Sequence, residues 1–323
     1  MTKAVRIHAP GGPEALKYDD VPTPEPGPGE ALIRQDAIGL NYIDVYFRTG
    51  LYKAPSLPLT IGQEGAGTVV SVGANVTNVK AGDRVAYAGS IGGYATERTI
   101  VADRLVKLPD GIDFKTAAAM MLQGMTVQYL LRRTYPVKSG DTIVVHAAAG
   151  GIGLIACQWG KHLGANVIGV VSSEEKAELA RAHGAAHTIV GYDRLVPEVK
   201  RITGGAGVPV VYDSIGKDTF GASLDCLAPL GLMVSFGNAS GPVPPVDIGI
   251  LAAKGSLFLT RPSLATYTAK RADLEATAKD LFDVVLRGAV KIPVNQTFAL
   301  KDAAAAHIAL ESRKTTGSTV LVP

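Results

Sequence analysis

Thiols are scarce. The 323 residues include two cysteines, Cys157 and Cys226. A structural zinc site takes four N or S ligands, and small secreted scaffolds use many more cysteines, so the pair alone supports neither. Both cysteines sit among apolar neighbours in helix-like segments, where buried reduced thiols are expected. An excess of charge is also missing: 32 Lys and Arg face 29 Asp and Glu, for a net +3. So mild and evenly spread a balance gives no reason to expect nucleic-acid binding. No apolar run reaches membrane-spanning length, and the opening MTKAVRIHAPGG lacks the basic-then-apolar pattern of a signal peptide. A soluble cytoplasmic protein with no membrane partner is the expectation. Internal repeats and low-complexity linkers are absent too.

What is present is apolar residues and glycine. Hydrophobic residues make 47% of the chain and charged residues 19%, which places it among globular rather than disordered proteins. The length allows more than one domain. The 37 glycines suit many tight turns and close backbone approaches to a ligand.

One stretch organises the rest, TIVVHAAAGGIGLIACQWGKHLG over Thr142–Gly164. Its apolar start predicts a strand buried on both faces. Small residues follow at once, and then Ile152, Ile155, Ala156, Trp159 and Leu163 recur at helical spacing. Gly164 stands where a helix-terminating glycine would. Strand, glycine turn and helix in immediate succession open a dinucleotide-binding βαβ unit, whose helix N-terminus faces the diphosphate. Ala148 occupies the first glycine position of the G-x-G-x-x-G fingerprint.

Before this stretch, residues 1 to about 110 read as short β-segments punctuated by Gly and Pro. From Asp141 onward, six apolar strands alternate with helical segments, the pattern of a doubly wound parallel sheet. Ligand-facing residues then belong just past the C-terminal strand ends. After Arg261, a tail of helix, strand, helix and strand is too small to fold alone and is expected to complete the first domain. Where the second nucleotide-domain strand ends, an NAD site carries Asp or Glu for the ribose 2′-hydroxyl. This chain has Ser172, Ser173 and, a turn later, Lys176, which suits the 2′-phosphate of NADPH. Glu174 and Glu175 argue the other way. Ser173 also reads simply as a helix N-cap with acidic partners.

These residues, with Gly140-Asp141, Gly150-Gly151-x-Gly153, Gln158 and Lys161, resemble the zeta-crystallin-like quinone oxidoreductases of the medium-chain dehydrogenase/reductase superfamily. Stretches such as GGPEAL, IGLNYIDVYFRTGLY, GQEGAGTVVSVG, VYDSIG and ALESRKTTG extend the resemblance over the whole chain. It implies an α/β protein: a β-rich GroES-like catalytic domain, 1–123 and 263–323, around a six-stranded Rossmann NADPH domain, 124–262. It implies NADPH-dependent quinone reduction by a zinc-free homodimer. One-electron and hydride transfer are both open, as is reduction of α,β-unsaturated carbonyls by the same cleft. A non-catalytic, NADPH- or RNA-binding crystallin role is the remaining alternative.

The resemblance also implies residue roles. Asn41, Tyr42 and Tyr46 line the nicotinamide and substrate cleft. Asn41, Tyr46, Tyr52 and Arg261 place the substrate oxygens. Tyr129, Gly150, Gly151 and Ile152 lie near the diphosphate and nicotinamide. Ser172, Ser173, Lys176 and Tyr192 take the adenosine-phosphate end. Ser214, Phe236, Gly237, Asn238, Arg261 and Ser263 follow strand ends, and Arg313 reaches the cofactor. The plain alternatives are core aromatics for Tyr42 and Tyr46, and a surface or interface cation for Arg261. Zinc alcohol dehydrogenases of the superfamily carry Cys where Asn41 stands and His where Gln63 stands, so a metal-free site is expected. Such a site suits substrates that accept electrons without a Lewis acid.

Overall fold

A computed structural model describes all residues, Met1–Pro323. The chain forms two compact units. The first comprises Met1–Met125, Thr268–Leu286 and Ile292–Pro323; the second comprises Thr126–Tyr267 and Arg287–Lys291.

The first unit opens with β1 (Thr2–Ile7), β2 (Leu16–Val21), β3 (Glu30–Leu40), helix α1 (Tyr42–Thr49) and β4 (Leu59–Thr60). Next come β5 (Glu64–Val72), β6 (Arg84–Ala88), β7 (Glu97–Val101) and β8 (Val106–Lys107). Helix α2 (Phe114–Tyr129) continues into a π-helical turn at Leu130–Thr134. Its residues Ala117 to Met121 and Met125 have almost no exposure, so the methionines fill core space.

The second unit follows the expected alternation. Strand β9 (Thr142–His146), α3 (Gly151–His162), β10 (Asn166–Val171), α4 (Glu174–Ala182), β11 (His187–Val190), α5 (Leu195–Ile202) and β12 (Val208–Asp213) come first. Helix α6 (Phe220–Asp225), β13 (Leu227–Ser235), α7 (Gly249–Ala253), β14 (Phe258–Thr260) and α8 (Leu264–Tyr267) complete it. All six strands pair in parallel, in the order β11-β10-β9-β12-β13-β14. From β9 the chain first winds outward to β11, then returns to β12 and winds the other way. The switch point therefore lies between the C-terminal ends of β9 and β12, where such sheets bind ligands. The strand expected over KGSLFLTR shortens to Phe258–Thr260, because Gly255 and Ser256 turn the chain at positive φ.

The chain then returns to the first unit through α9 (Arg271–Leu286), β15 (Val294–Ala299), α10 (Ala303–Glu311) and β16 (Ser318–Val322). The large sheet there runs β15-β16-β3-β5-β6-β8, with β7 also paired to β3; a smaller sheet is β2-β1-β4. Between the two tail segments, Arg287–Lys291 stays with the second unit. The Gln158 amide holds it there, donating to the Lys291 carbonyl at 2.9 Å and accepting the Lys291 N–H at 2.8 Å.

Candidate functional site

In the second unit the turn between β9 and α3 is shaped by contact. Ala147 adopts a left-handed φ of 50°, and its carbonyl accepts the Gly150 N–H at 2.9 Å. A Cβ at Gly153 would lie 2.2 Å from the Ala147 oxygen, well inside contact distance, so only glycine lets the first turn of α3 sit on this loop. Helix geometry leaves the first-turn N–H groups of Gly151, Ile152 and Gly153 without carbonyl partners inside α3. No acidic residue stands in that turn, and Gly150 is the N-cap with no side chain to block it. The result is a cradle for an anion.

At the next strand, Ser173 caps α4, its hydroxyl accepting the Lys176 N–H at 3.3 Å. The capping reading is thus correct, and Ser172 is exposed beside it. Tyr192, past β11, faces His146 at 6.0 Å between ring centroids. Past β12 and β13, Ser214, Phe236, Gly237 and Asn238 form one cluster. The Phe236 N–H donates to Asp213, the Ala239 N–H donates to Ser214, and a Cβ at Gly237 would meet the Ser214 oxygen at 2.4 Å. Arg261 joins them, donating to Ser235 Oγ at 3.2 Å and to the Gly237 carbonyl at 2.9 Å. Ser263 instead bonds Thr266 in α8. Tyr129 is buried, its ring stacked on Tyr267 at 4.5 Å with 10° between planes.

Beneath these strand ends lies a cluster that sequence reasoning missed. Asp213 has no exposure and accepts four hydrogen bonds: Ile215 and Gly216 N–H at 2.8 and 3.1 Å, Thr219 Oγ1 at 2.7 Å and Ser223 Oγ at 2.8 Å. Because the Ser223 proton goes to Asp213, the His146 Nε2 at 3.0 Å from Ser223 must be the donor there. That leaves His146 Nδ1 buried with no partner. Burial pushes the imidazole below its usual range, the nearby Asp213 opposing, and keeps it neutral. His146 is thus a neutral, buried ring tied to Ser223.

In the first unit, Asn41, Tyr42, Tyr46 and Tyr52 gather around α1. Tyr46 contacts Tyr42 at 6.3 Å and Tyr52 at 5.2 Å between centroids, and Phe47 closes on Tyr52 at 5.7 Å. Tyr46 is almost fully buried while Tyr42 and Tyr52 are half-buried, so the group is both packing and surface. The Tyr42 hydroxyl donates to the Leu310 carbonyl at 3.3 Å. Burial raises its pKa, and the neighbouring Arg313 guanidinium lowers it.

Asn41 is buried, and its amide is oriented on both sides. Nδ2 donates to Glu64 at 2.6 Å, and Oδ1 accepts from Gln123 at 3.1 Å. Gln123 is in turn held by the Ser318 hydroxyl at 2.8 Å. Glu64, without exposure, also accepts the Leu122 N–H at 2.7 Å. Desolvation still dominates and pushes its carboxyl up to about 8. Asp44 accepts the Asn41 N–H at 2.9 Å and the Tyr94 hydroxyl at 3.1 Å, both on Oδ2, and its Oδ1 has no partner. Burial raises it to about 7. Nowhere do three or more His, Cys, Asp or Glu side chains gather as a metal-binding group.

Comparison with known proteins bears on both units. Residues 27–110 match the family model "Alcohol dehydrogenase GroES-like domain", and residues 151–287 match "Zinc-binding dehydrogenase". A quinone oxidoreductase of Pseudomonas aeruginosa is 56% identical over the full length of both chains. The solved structure of Escherichia coli quinone oxidoreductase complexed with NADPH matches with a TM-score of 0.97 at 48% identity, covering all of both chains. The chain belongs to the quinone oxidoreductase family of the medium-chain dehydrogenase/reductase superfamily. A 2-haloacrylate reductase from Burkholderia is also similar, 45% identical over 100% of this chain and 99% of its own. The GroES-like β-rich unit and the six-stranded parallel Rossmann sheet expected from sequence are those of the family.

Proposed function

We propose that this chain is an NADPH-dependent reductase of quinones. The observation that carries the reading is the Ala147–Gly153 turn, where glycine is required by contact and the first-turn N–H groups of α3 are left for a diphosphate. Lys176, on the capped helix after β10, adds a cation where a 2′-phosphate would lie, and Tyr192 is assigned to the same end of the cofactor. Ser214, Gly237, Asn238 and Arg261, drawn together past β12 and β13, take the middle of the cofactor. Tyr42, Tyr129, Ser263 and Arg313 are assigned its remaining contacts. The quinone oxidoreductase names of full-length relatives support both cofactor and substrate class.

Bound NADPH supplies the reducing electrons. The chain's own residues hold and orient. Asn41, its amide fixed by Glu64 and Gln123, offers its second N–H to a substrate oxygen. Tyr46 and Tyr52 supply aromatic faces and hydroxyls for a planar ring. The reading needs no metal. Asn41 presents a neutral amide, Gln63 another, and both cysteines are buried in the second unit.

Replacing Lys176→Glu is expected to raise the NADPH dissociation constant at least tenfold more than that of NADH, a difference of about 1.4 kcal/mol. Equal effects on the two nucleotides would remove the 2′-phosphate assignment. The similarity to 2-haloacrylate reductase favours a second reading, reduction of activated double bonds in conjugated carbonyls. Parallel steady-state assays with 1,4-benzoquinone, a naphthoquinone and an alkenal separate the two, and turnover of the alkenal alone rejects quinone reduction.

We further propose a homodimer through β14. That strand ends the parallel sheet, and it exposes Phe258 and Leu259 at 59% and 41%. An open apolar strand edge of this kind pairs readily with a second copy. Sedimentation equilibrium of Phe258→Lys against the unaltered chain tests it, and unchanged mass would reject β14 as the contact.

A further inference from the structure

Arg48, in the last turn of α1, is a buried guanidinium, 1% exposed. Nε donates to the Gly11 carbonyl at 3.2 Å. Nη1 and Nη2 grip both oxygens of Glu311, in the last turn of α10, at 2.7 and 2.8 Å. Nη1 also lies 3.2 Å from His307 Nδ1, one turn earlier on α10. Guanidinium can only donate, so Nδ1 is an acceptor and the neutral ring keeps its proton on Nε2. Nε2–H then donates to the Tyr94 hydroxyl at 3.1 Å, and Tyr94 donates to Asp44 at 3.1 Å. Asp44 accepts the Asn41 N–H at the opposite end of α1. Hydrogen bonds of fixed direction thus join both ends of α1 to one face of α10. Arg48 cannot pass a proton on, so this chain is a frame rather than a proton path.

The frame ends at proposed cofactor residues. Tyr42, the first residue of α1, donates to Leu310. The chain then turns at Arg313, whose N–H donates to the same Leu310 carbonyl at 3.1 Å and whose φ is 58°. Glu311 is thus the last residue of α10, and only Ser312 separates it from the arginine assigned to the nucleotide.

We propose that Arg48 and Glu311 are positioning residues for the cofactor, clamping the end of α10 on α1 so that Tyr42 and Arg313 meet the nucleotide from one rigid support. The proposal rests on the reading above that Arg313 contacts NADPH. A bidentate fork suits this task, because it fixes angle as well as distance.

The test is a double-mutant cycle on NADPH affinity, measured by fluorescence titration of the whole protein, with Glu311→Gln, Arg313→Ala and the pair combined. Glu311 is partly exposed, so Glu311→Gln is expected to keep the fold, which a thermal melt checks. Each single change is expected to raise the NADPH dissociation constant about fivefold or more, and the double change to be no weaker than Arg313→Ala alone within about twofold. Arg48→Lys, which keeps the charge but loses the fork, is expected to reproduce Glu311→Gln. A purely structural pair would lower the melting temperature while its effect on affinity added to that of Arg313→Ala, and that result overturns the proposal. Affinity lost in Arg313→Ala but kept in Glu311→Gln and Arg48→Lys overturns the clamp alone. Unchanged affinity in Arg313→Ala removes the assignment of Arg313 and the clamp together.

Discussion

Two carboxylates in this molecule have no exposure and opposite surroundings. Asp213, at the end of a parallel strand, is met by two backbone N–H groups and two hydroxyls shared over both oxygens. Asp44, on the first turn of α1, has its two donors on one oxygen and none on the other. The same chemical group is an anchor in one place and a burial cost in the other. What separates them is the number and placement of donors, since burial is complete in both. Glu64 lies with Asp44: its donors from Asn41 and Leu122 do not offset desolvation.

The comparison breaks most sharply at Asp213. Asp213→Ala strands two buried N–H groups and removes the acceptor of two hydroxyls, and is expected to cost about 3 kcal/mol or more in denaturant unfolding. A loss below about 1 kcal/mol would mean that donor count is not the deciding quantity. Glu64→Gln removes a costly charge while keeping the shape, so its stability loss is expected to be the smaller of the two at pH 8. An equal loss would erase the distinction.

Proton linkage sharpens the contrast further. Asp44 and Glu64 have folded-state values raised to about 7 and about 8 from ordinary values of 3.8 and 4.5. Between ordinary and folded values the native state holds more protons than the unfolded chain, so stability falls as pH rises. His307 and His146 act in the opposite sense. Burial, with Arg48 adding to it, lowers His307 to about 3, so its share is lost as pH falls below the usual histidine range. Above about pH 7.5 unfolded histidines are almost all neutral, and the carboxylates act alone. Melting temperature is therefore expected to decline from pH 7.5 to 8.5, and Glu64→Gln to flatten part of that slope. A rising or flat profile in the unaltered chain would contradict the raised carboxyls.

The smallest effect is expected at His146. Its Nδ1 is already unpartnered, and Ser223 still donates to Asp213 when the ring is gone. His146→Phe is expected to change stability by less than about 1 kcal/mol.

The fold was legible where the signal is local. Thr142–Gly164 carries its own periodicity and punctuation, and the apolar runs from Asp141 onward announce a parallel sheet. The cap at Ser173 follows from two neighbouring acids and a hydroxyl. The buried polar clusters were not legible, because their members are far apart in the chain. Asn41, Glu64, Gln123 and Ser318 meet only through the pairing of β3 with β5 and β16 and the packing of α2. Arg48 and His307 are joined across 259 positions. A local clue did exist: Glu64 is a charge opening an apolar strand next to glycine, a place where a buried carboxylate must find donors. Asp213 gave the same clue at the end of VPVVYD.

The position of β16 has a consequence for synthesis on the ribosome. The last strand of the chain lies between β15 and β3, inside the seven-stranded sheet rather than at its rim. The strands of the second unit are contiguous in sequence and can close as soon as residue 267 has emerged. The first unit, though translated earlier, waits with the Ile38–Leu40 end of β3 unpaired on the side that β7 does not reach, until β16 arrives. Throughout that interval it presents an open strand edge, the feature that invites pairing with the wrong chain. The nascent protein is thus most vulnerable at its beginning, and its end relieves that exposure.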